Sequence, residues 1–223
     1  DGLRRELISN ISHDLRTPLA LIYSYAEMMQ DFPDEITTTQ LGTIMSETKR
    51  LSSLVNDILD VSKLETGTIE LHIKKYNLTE SIDKTVEHLS ELVGNDGYSI
   101  EFEHSEDVYV IADEAKLTQA LYNLLTNAVN YSTRDKHIIV RQNRVENGVK
   151  IEVIDHGEGI AQENIPYIWD RYYRVNKIHK RAIIGTGLGL SIVKNIFELH
   201  GADYGVESEL GKGANFWVQL EIK

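Results

Sequence analysis

The chain has 223 residues, 41% of them hydrophobic, with 23 lysines and arginines against 35 aspartates and glutamates. That length allows one large domain or two small ones, and the apolar content is that of a folded protein. The net charge of −12 argues against nucleic acid as the main partner, and the lack of any cysteine excludes disulfides, thiolate metal sites and cysteine nucleophiles.

Residues 3–31 carry a heptad pattern. Ile8, Ile11, Leu15, Pro18, Ile22, Tyr25 and Met29 step alternately by three and four, the seam of a helix that packs on others. The stretch "QDFPDEITTT" breaks it with a proline and a threonine cluster able to cap a new helix. Leu41, Ile44, Thr48, Leu51, Val55, Ile58 and Ser62 repeat the spacing, and Gly67 is expected to close this second helix as a C-terminal cap. A long helical hairpin results. With apolar seams on both arms, it most simply dimerises into a four-helix bundle through residues 3–66.

The texture changes after Gly67. "TIELHIKKY" alternates as a half-buried strand, and "NLTESIDKTVEHLSELVG" opens with the capping pattern Asn77 and Glu80 before an amphipathic helix. "SIEFEHS" and "VYVIA" read as strands, and Asp113 caps a helix running to about Tyr131. "HIIVRQNRV", Asn147-Gly148 and "VKIEVID" predict a hairpin. A short helix, a polar stretch, a helix over about 188–200 and a final strand pair follow. Most strands sit in hairpins, so the expected fold is an α/β sandwich of helices on a largely antiparallel sheet.

Three features carry chemistry. The first is "ISHDLRTPLALI": with Ile8 at heptad position a and Ile11 at d, His13 falls at f, away from the seam. Asp14 can accept a proton from one imidazole nitrogen and leave the other nucleophilic, and Thr17 lies one turn along the same face. Pro18 cannot donate to the Asp14 carbonyl, so the helix is expected to bend or open there. The second is a set of glycine pairs. "DHGEGI" supplies Asp155, Gly157 and Gly159, "GTGLGLSIVK" supplies Gly185, Gly187 and Gly189 ahead of an apolar helix, and "GKGANF" supplies Gly211 and Gly213. Leu190 stands where a dinucleotide fingerprint needs glycine, and no Lys-Ser or Lys-Thr pair makes a P-loop. Glycines opening a helix still let backbone amides approach a phosphate. Between them, "RYYRVNKIHKRAIIG" gathers Arg171, Arg174, Lys177, Lys180 and Arg181, a basic stretch suited to a lid over a polyphosphate. The third is "KLTQALYNLLTNAVNYS", where Asn123 and Asn127 share a helix face with Asn130 close by. Their amide oxygens suit a hard cation such as magnesium.

Together these motifs resemble one family, the catalytic core of the sensor histidine kinases of two-component signalling. "SHDLRTPL" is similar to its phosphoacceptor motif, "NLLTNAVNYS" to its asparagine motif, "DHGEGI" and "GTGLGLSIVK" to its glycine motifs, and "IWDRYYR" to its aromatic motif. The resemblance implies two domains: a dimerisation and histidine-phosphotransfer hairpin at 1–66, and at 67–223 an ATP-binding domain of the Bergerat type shared with gyrase, Hsp90 and MutL. It implies ATP and Mg2+ as cofactors, a homodimer, and the receiver domain of a response regulator as partner. His13 would take the γ-phosphoryl group, Asp14 would act as base or orient the imidazole, and Thr17 would position water for dephosphorylation of the regulator. Asn127 with Asn123 would hold the metal, and Asp155 would accept from the adenine amino group. Gly157 and Gly159 would let the chain pass close to the nucleotide, and Tyr131 and Ile160 would wall the pocket. Arg174, Gly185, Thr186, Gly187, Leu188 and Gly189 would face the phosphates.

Asn130 stands where the family usually has lysine, so one phosphate contact is lost or comes from the lid. Trp169 and Tyr172 replace common phenylalanines, a milder change. A gyrase- or Hsp90-type ATPase would share the asparagine and glycine motifs but has no need of "SHDLRTPL", and a non-catalytic scaffold has no need of intact His13, Asn127 and Asp155. No apolar run approaches the roughly 20 residues that span a bilayer. Helical text without a start methionine is expected of a fragment, and the resemblance implies the cytoplasmic portion of a membrane-anchored sensor, with no membrane contact by this fragment.

Overall fold

In the computed structural model the heptad text becomes two helices, α1 (Gly2–Asp31) and α2 (Thr38–Glu65), joined by a short 3-10 turn at Pro33–Glu35. The structure describes residues 2–65, 70–132, 135–171, 173 and 188–222, and the side chains of these except for residues 2–10, 13, 57, 60, 61 and 63–65. The expected cap at Gly67 lies outside them. Two compact units result, Asp1–Gly67 and Thr68–Lys223.

In α1 the predicted seam is the covered one: Ile11, Leu15, Ile22, Tyr25 and Met29 are partly covered and Pro18 is buried. The helix continues through Pro18, so the proline removes one ladder bond without ending the element. Thr37 starts α2 with a reciprocal cap: the Gln40 N–H donates to Thr37 Oγ1 (3.3 Å) and the Thr37 N–H donates to Gln40 Oε1 (2.7 Å). The α2 seam differs from the expected one. Ile44, Leu51 and Ile58 are covered, but Leu41, Thr48, Val55 and Ser62 are exposed, and Leu54 is the residue that is buried. The helix carries two apolar stripes, one through Ile44, Leu51, Leu54 and Ile58 and one through Leu41, Met45, Val55 and Leu59. The linear pattern had merged them.

The second unit runs β1 (Lys74–Asn77), α3 (Leu78–Val93), β2 (Ser99–His104), β3 (Tyr109–Ala112), α4 (Glu114–Tyr131), β4 (His137–Val145), β5 (Gly148–Asp155), α5 (Gly189–Leu199), β6 (Asp203–Ser208) and β7 (Ala214–Glu221). Five strands form a sheet in the order β2-β4-β5-β7-β6, with β2 and β4 parallel and the other pairs antiparallel. β1 and β3 pair separately. One sheet face is apolar: Ile138 and Val140 of β4, Val149, Ile151 and Val153 of β5, and Phe216, Val218 and Leu220 of β7 are all buried. The buried faces of α3, α4 and α5 supply the rest of the core, including Ile82, Leu125 and Phe197. The expected sandwich on a mostly antiparallel sheet is the fold.

Three local expectations are corrected. The strand expected over "TIELHIKKY" pairs only at Lys74–Asn77, because β3 is four residues long and its register ends at Lys74↔Ala112. The next residue, Asp113, leaves the sheet to cap α4, and the His72 N–H donates to its Oδ2 (2.8 Å) instead of to a ladder. The β4–β5 turn is centred on Glu146 and Asn147, since Gly148 already pairs with Val145. A side chain at Gly148 would collide with the Leu220 carbonyl of β7, so this glycine serves strand packing rather than the turn. The short helix expected after Gly159 is a run of turns, with one helical bond from the Ile168 N–H to the Asn164 carbonyl (3.2 Å).

Candidate functional site

The asparagines sit where α4 meets α5. Asp113 caps α4, its Oδ1 accepting the Lys116 N–H (3.0 Å). Burial works to raise the Asp113 pKa, but the amides of His72 and Lys116 outweigh it and hold the carboxyl below its ordinary value. The buried side of α4, Leu117, Leu121, Leu124, Leu125 and Ala128, leaves Asn123, Asn127 and Asn130 half-buried on its flank. The Asn123 Nδ2 is buried without a hydrogen-bond partner. A β-carbon added at Gly189, the first residue of α5, would stand 3.9 Å from the Asn123 side chain, so the positive end of α5 adjoins that orphan amide. Leu188 caps α5 from a buried position, and its carbonyl accepts the Ser191 hydroxyl (2.8 Å).

Asp155 ends β5 at 5% exposure. The Gly157 N–H donates to its Oδ1 (2.8 Å), and Ala214 of β7 pairs with Asp155 across the ladder. Burial pushes the Asp155 pKa up, against the favourable amides of Gly157 and Ala214 and the nearby His156. Among the described residues no lysine or arginine pairs with it. Gly157 is needed for closeness, since a side chain there would collide with the Tyr131 carbonyl at the end of α4. Gly159 has φ +70°, and its missing side chain would strike the Glu209 carbonyl. Both glycines therefore approach the chain's own backbone, and they draw Asp155, Tyr131 and the β6–β7 turn together. Ile160 is half-buried and Tyr131 is exposed. Trp169 of the aromatic motif packs nearby, meeting Tyr204 and Phe216 edge-on with ring centroids at 5.1 and 5.7 Å.

The sequence-derived residues thus form two groups in this unit, Asn123 with Leu188 and Gly189, and Asp155 with Gly157, Gly159, Ile160 and Tyr131. Arg174, Gly185, Thr186 and Gly187 lie outside the described residues. In the other unit Asp14 is half-buried and Thr17 exposed on α1, while the orientation expected of His13 lies outside the described side chains. Sequence reading missed Ser208. Its signal was a serine just ahead of the "GKGANF" turn.

Side-chain amide oxygens can ligate a hard cation, whereas the orphaned Asn123 Nδ2 is a donor that calls for an acceptor such as a phosphate oxygen. Among the described residues no cluster of three histidines or carboxylates could hold a metal alone. The asparagines therefore fit an ion that arrives with its own phosphate and water oxygens.

Residues 3–67 match the family model described as the His Kinase A (phospho-acceptor) domain. Residues 112–223 match the model of the histidine kinase-, DNA gyrase B- and HSP90-like ATPases. The sensor protein SrrB of Staphylococcus aureus strain MRSA252 is 33% identical over 224 residues, covering 99% of this chain and 38% of SrrB, so the chain spans little more than a third of that relative. Among solved structures, full-length ShkA in complex with AMPPNP is similar at 28% identity and a TM-score of 0.71, over 97% of this chain and 45% of ShkA. The histidine kinase ThkA, solved in complex with the response regulator protein TrrA, shares the fold with a TM-score of 0.71 at 24% identity, over 98% of this chain and 61% of that one.

Proposed function

This chain belongs to the histidine kinases that join a phospho-acceptor domain to a gyrase- and HSP90-like ATPase domain, and on that premise we propose that it is an ATP-dependent protein histidine autokinase. The observation that carries the reading is Asp155. A buried carboxylate that accepts the Gly157 amide, with no lysine or arginine paired with it among the described residues, suits a ligand's hydrogen-bond donor. The exocyclic amine of adenine is such a donor. The complex of ShkA with AMPPNP supports the same ligand.

In this reading Asp155 reads the base, while Gly157, Gly159, Ile160 and Tyr131 shape its surroundings. The α5 N-terminus at Leu188 and Gly189, with Arg174, Gly185, Thr186 and Gly187, faces the phosphates. Asn127 and Asn123 hold magnesium, which when bound neutralises charge on the phosphates. An imidazole nitrogen of His13 attacks the γ-phosphorus, the bond to the bridging oxygen breaks, and ADP leaves. Asp14 holds or accepts the imidazole proton. The nucleotide site has little covalent work beyond positioning. The phosphoryl group then passes to an aspartate of a response regulator, and Thr17 orients water when the hairpin removes that group again. The hairpin dimerises through residues 3–66. Among the described residues no helix is long and apolar enough to cross a membrane.

Incubation of the chain with γ-labelled ATP tests the proposal. Label that is acid-labile and base-stable on the protein is the expected result. Release of free phosphate without such label would point to a gyrase-type ATPase, and neither label nor turnover to a scaffold.

A further inference from the structure

The β6–β7 turn has no part in the chemistry above, yet it is bonded to the Asp155 loop at several points. The Ile160 N–H donates to Ser208 Oγ (2.8 Å), and the same hydroxyl donates to the Gly213 carbonyl (2.6 Å). Gln162 Nε2 donates to the Ser208 carbonyl (2.8 Å), and the Gly211 N–H donates to the Glu158 carbonyl (2.7 Å). Gly213, at φ +84°, lies so close to Asp155 that a side chain would strike its carbonyl.

The Gly213 carbonyl and the Ala214 N–H belong to one peptide group. Ser208 holds the oxygen end of that plane, and the nitrogen end belongs to Ala214, which pairs with Asp155 across the β5–β7 ladder. A peptide plane is rigid, so fixing its oxygen fixes the direction of its N–H. The serine hydroxyl is used as both donor and acceptor, which sets its rotamer. We infer that Ser208 is a positioning residue for base recognition, fixing Asp155 through the Gly213–Ala214 peptide that pairs with it and setting Ile160 through its amide.

This inference rests on the reading of Asp155 as the adenine contact, and the test separates the two. Calorimetry on the full chain measures ADP against inosine diphosphate, in which a carbonyl that the carboxylate repels replaces the amine. The wild type is expected to prefer ADP by at least about tenfold. A wild type without preference would refute the role of Asp155 itself. Ser208→Ala is expected to weaken ADP by about tenfold while changing inosine diphosphate by less than about threefold, so that the preference narrows. Ser208→Thr, which keeps the hydroxyl, restores the wild-type ratio. A merely structural serine would move both ligands together, and a wild-type preference left intact in folded Ser208→Ala overturns the inference. Should circular dichroism show Ser208→Ala unfolded, Ser208→Cys keeps the size with a weaker donor, and the same ratio decides: narrowed supports, unchanged overturns.

Discussion

In the unit Thr68–Lys223, helices and sheet cover one another so fully that Ala120, Leu125, Ile138, Val140 and Val149 are 0% exposed. In the unit Asp1–Gly67, Leu54 alone of the described large apolar side chains is buried, while Leu19, Tyr23, Met45 and Leu59 are at least half exposed. Burying a leucine-sized side chain is worth about 1.5–3 kcal/mol, so the unit Thr68–Lys223 holds a finished core and the hairpin leaves stabilisation unused. A second copy of the same stripe would collect it, which is the physical ground for the proposed dimer. In the proposed reaction the nucleotide side is thus built into one chain, whereas the hairpin carries an apolar stripe that awaits a partner.

The sharpest way to break this contrast is a matched pair of substitutions. Leu125→Ala should cost about 2–5 kcal/mol of stability in the ATP-binding unit, read by denaturant melting. Leu59→Glu should leave that melt alone and halve the sedimentation mass at micromolar concentration. Replacing two leucines per dimer removes about 3 kcal/mol, over a hundredfold in association. An unchanged mass would place the interface elsewhere. Thr17→Ala, on the exposed side of α1, should keep autophosphorylation within a few-fold and lose dephosphorylation of a phosphorylated regulator by on the order of a hundredfold. Equal dephosphorylation rates would remove Thr17 from the chemistry.

Asp155→Asn sharpens the other side. ATP affinity should drop by about ten- to a hundredfold, since a charge-assisted bond is lost. The pH dependence has a definite sign. The folded-state pKa of Asp155 is raised, so its contribution is fully present below the unfolded value near ~3.9 and is lost as pH rises through the folded value. The wild type should therefore lose melting temperature relative to Asp155→Asn between acid and neutral pH. Asp113 behaves oppositely. Its pKa is lowered, so it stabilises above ~3.9 and loses this as pH falls through the folded value. Asp113→Ala should cost about 1 kcal/mol at neutral pH and less in acid, checked by melting at both.

Local chemistry was legible from the sequence where a single residue decides it. Asn77 caps α3 by accepting the Glu80 N–H (3.2 Å), and Asp113 caps α4 as its position implied. The α1 seam was legible because its covered residues Ile11, Leu15, Pro18, Ile22, Tyr25 and Met29 keep the three-and-four spacing without a break. Features that depend on a neighbour distant in sequence were not. The length of β1 is set by β3, the need for glycine at position 148 is set by the Leu220 carbonyl, and α2 divides its apolar residues between α1 and an uncovered face. The candidate site follows the same rule. Asn123, Asn127 and Asp155 announced themselves by spacing, but the link from Ser208 to Asp155 runs through a peptide that only folding brings alongside.

The central claim is that the nucleotide unit delivers its phosphoryl group to one histidine of the hairpin. His13→Gln tests it most directly, with labelled ATP for transfer and calorimetry for binding on the same preparation. The account predicts no acid-labile label and an ATP affinity within about twofold of wild type, because the base-reading and phosphate-facing residues belong to the other unit. Label at the wild-type level would contradict it.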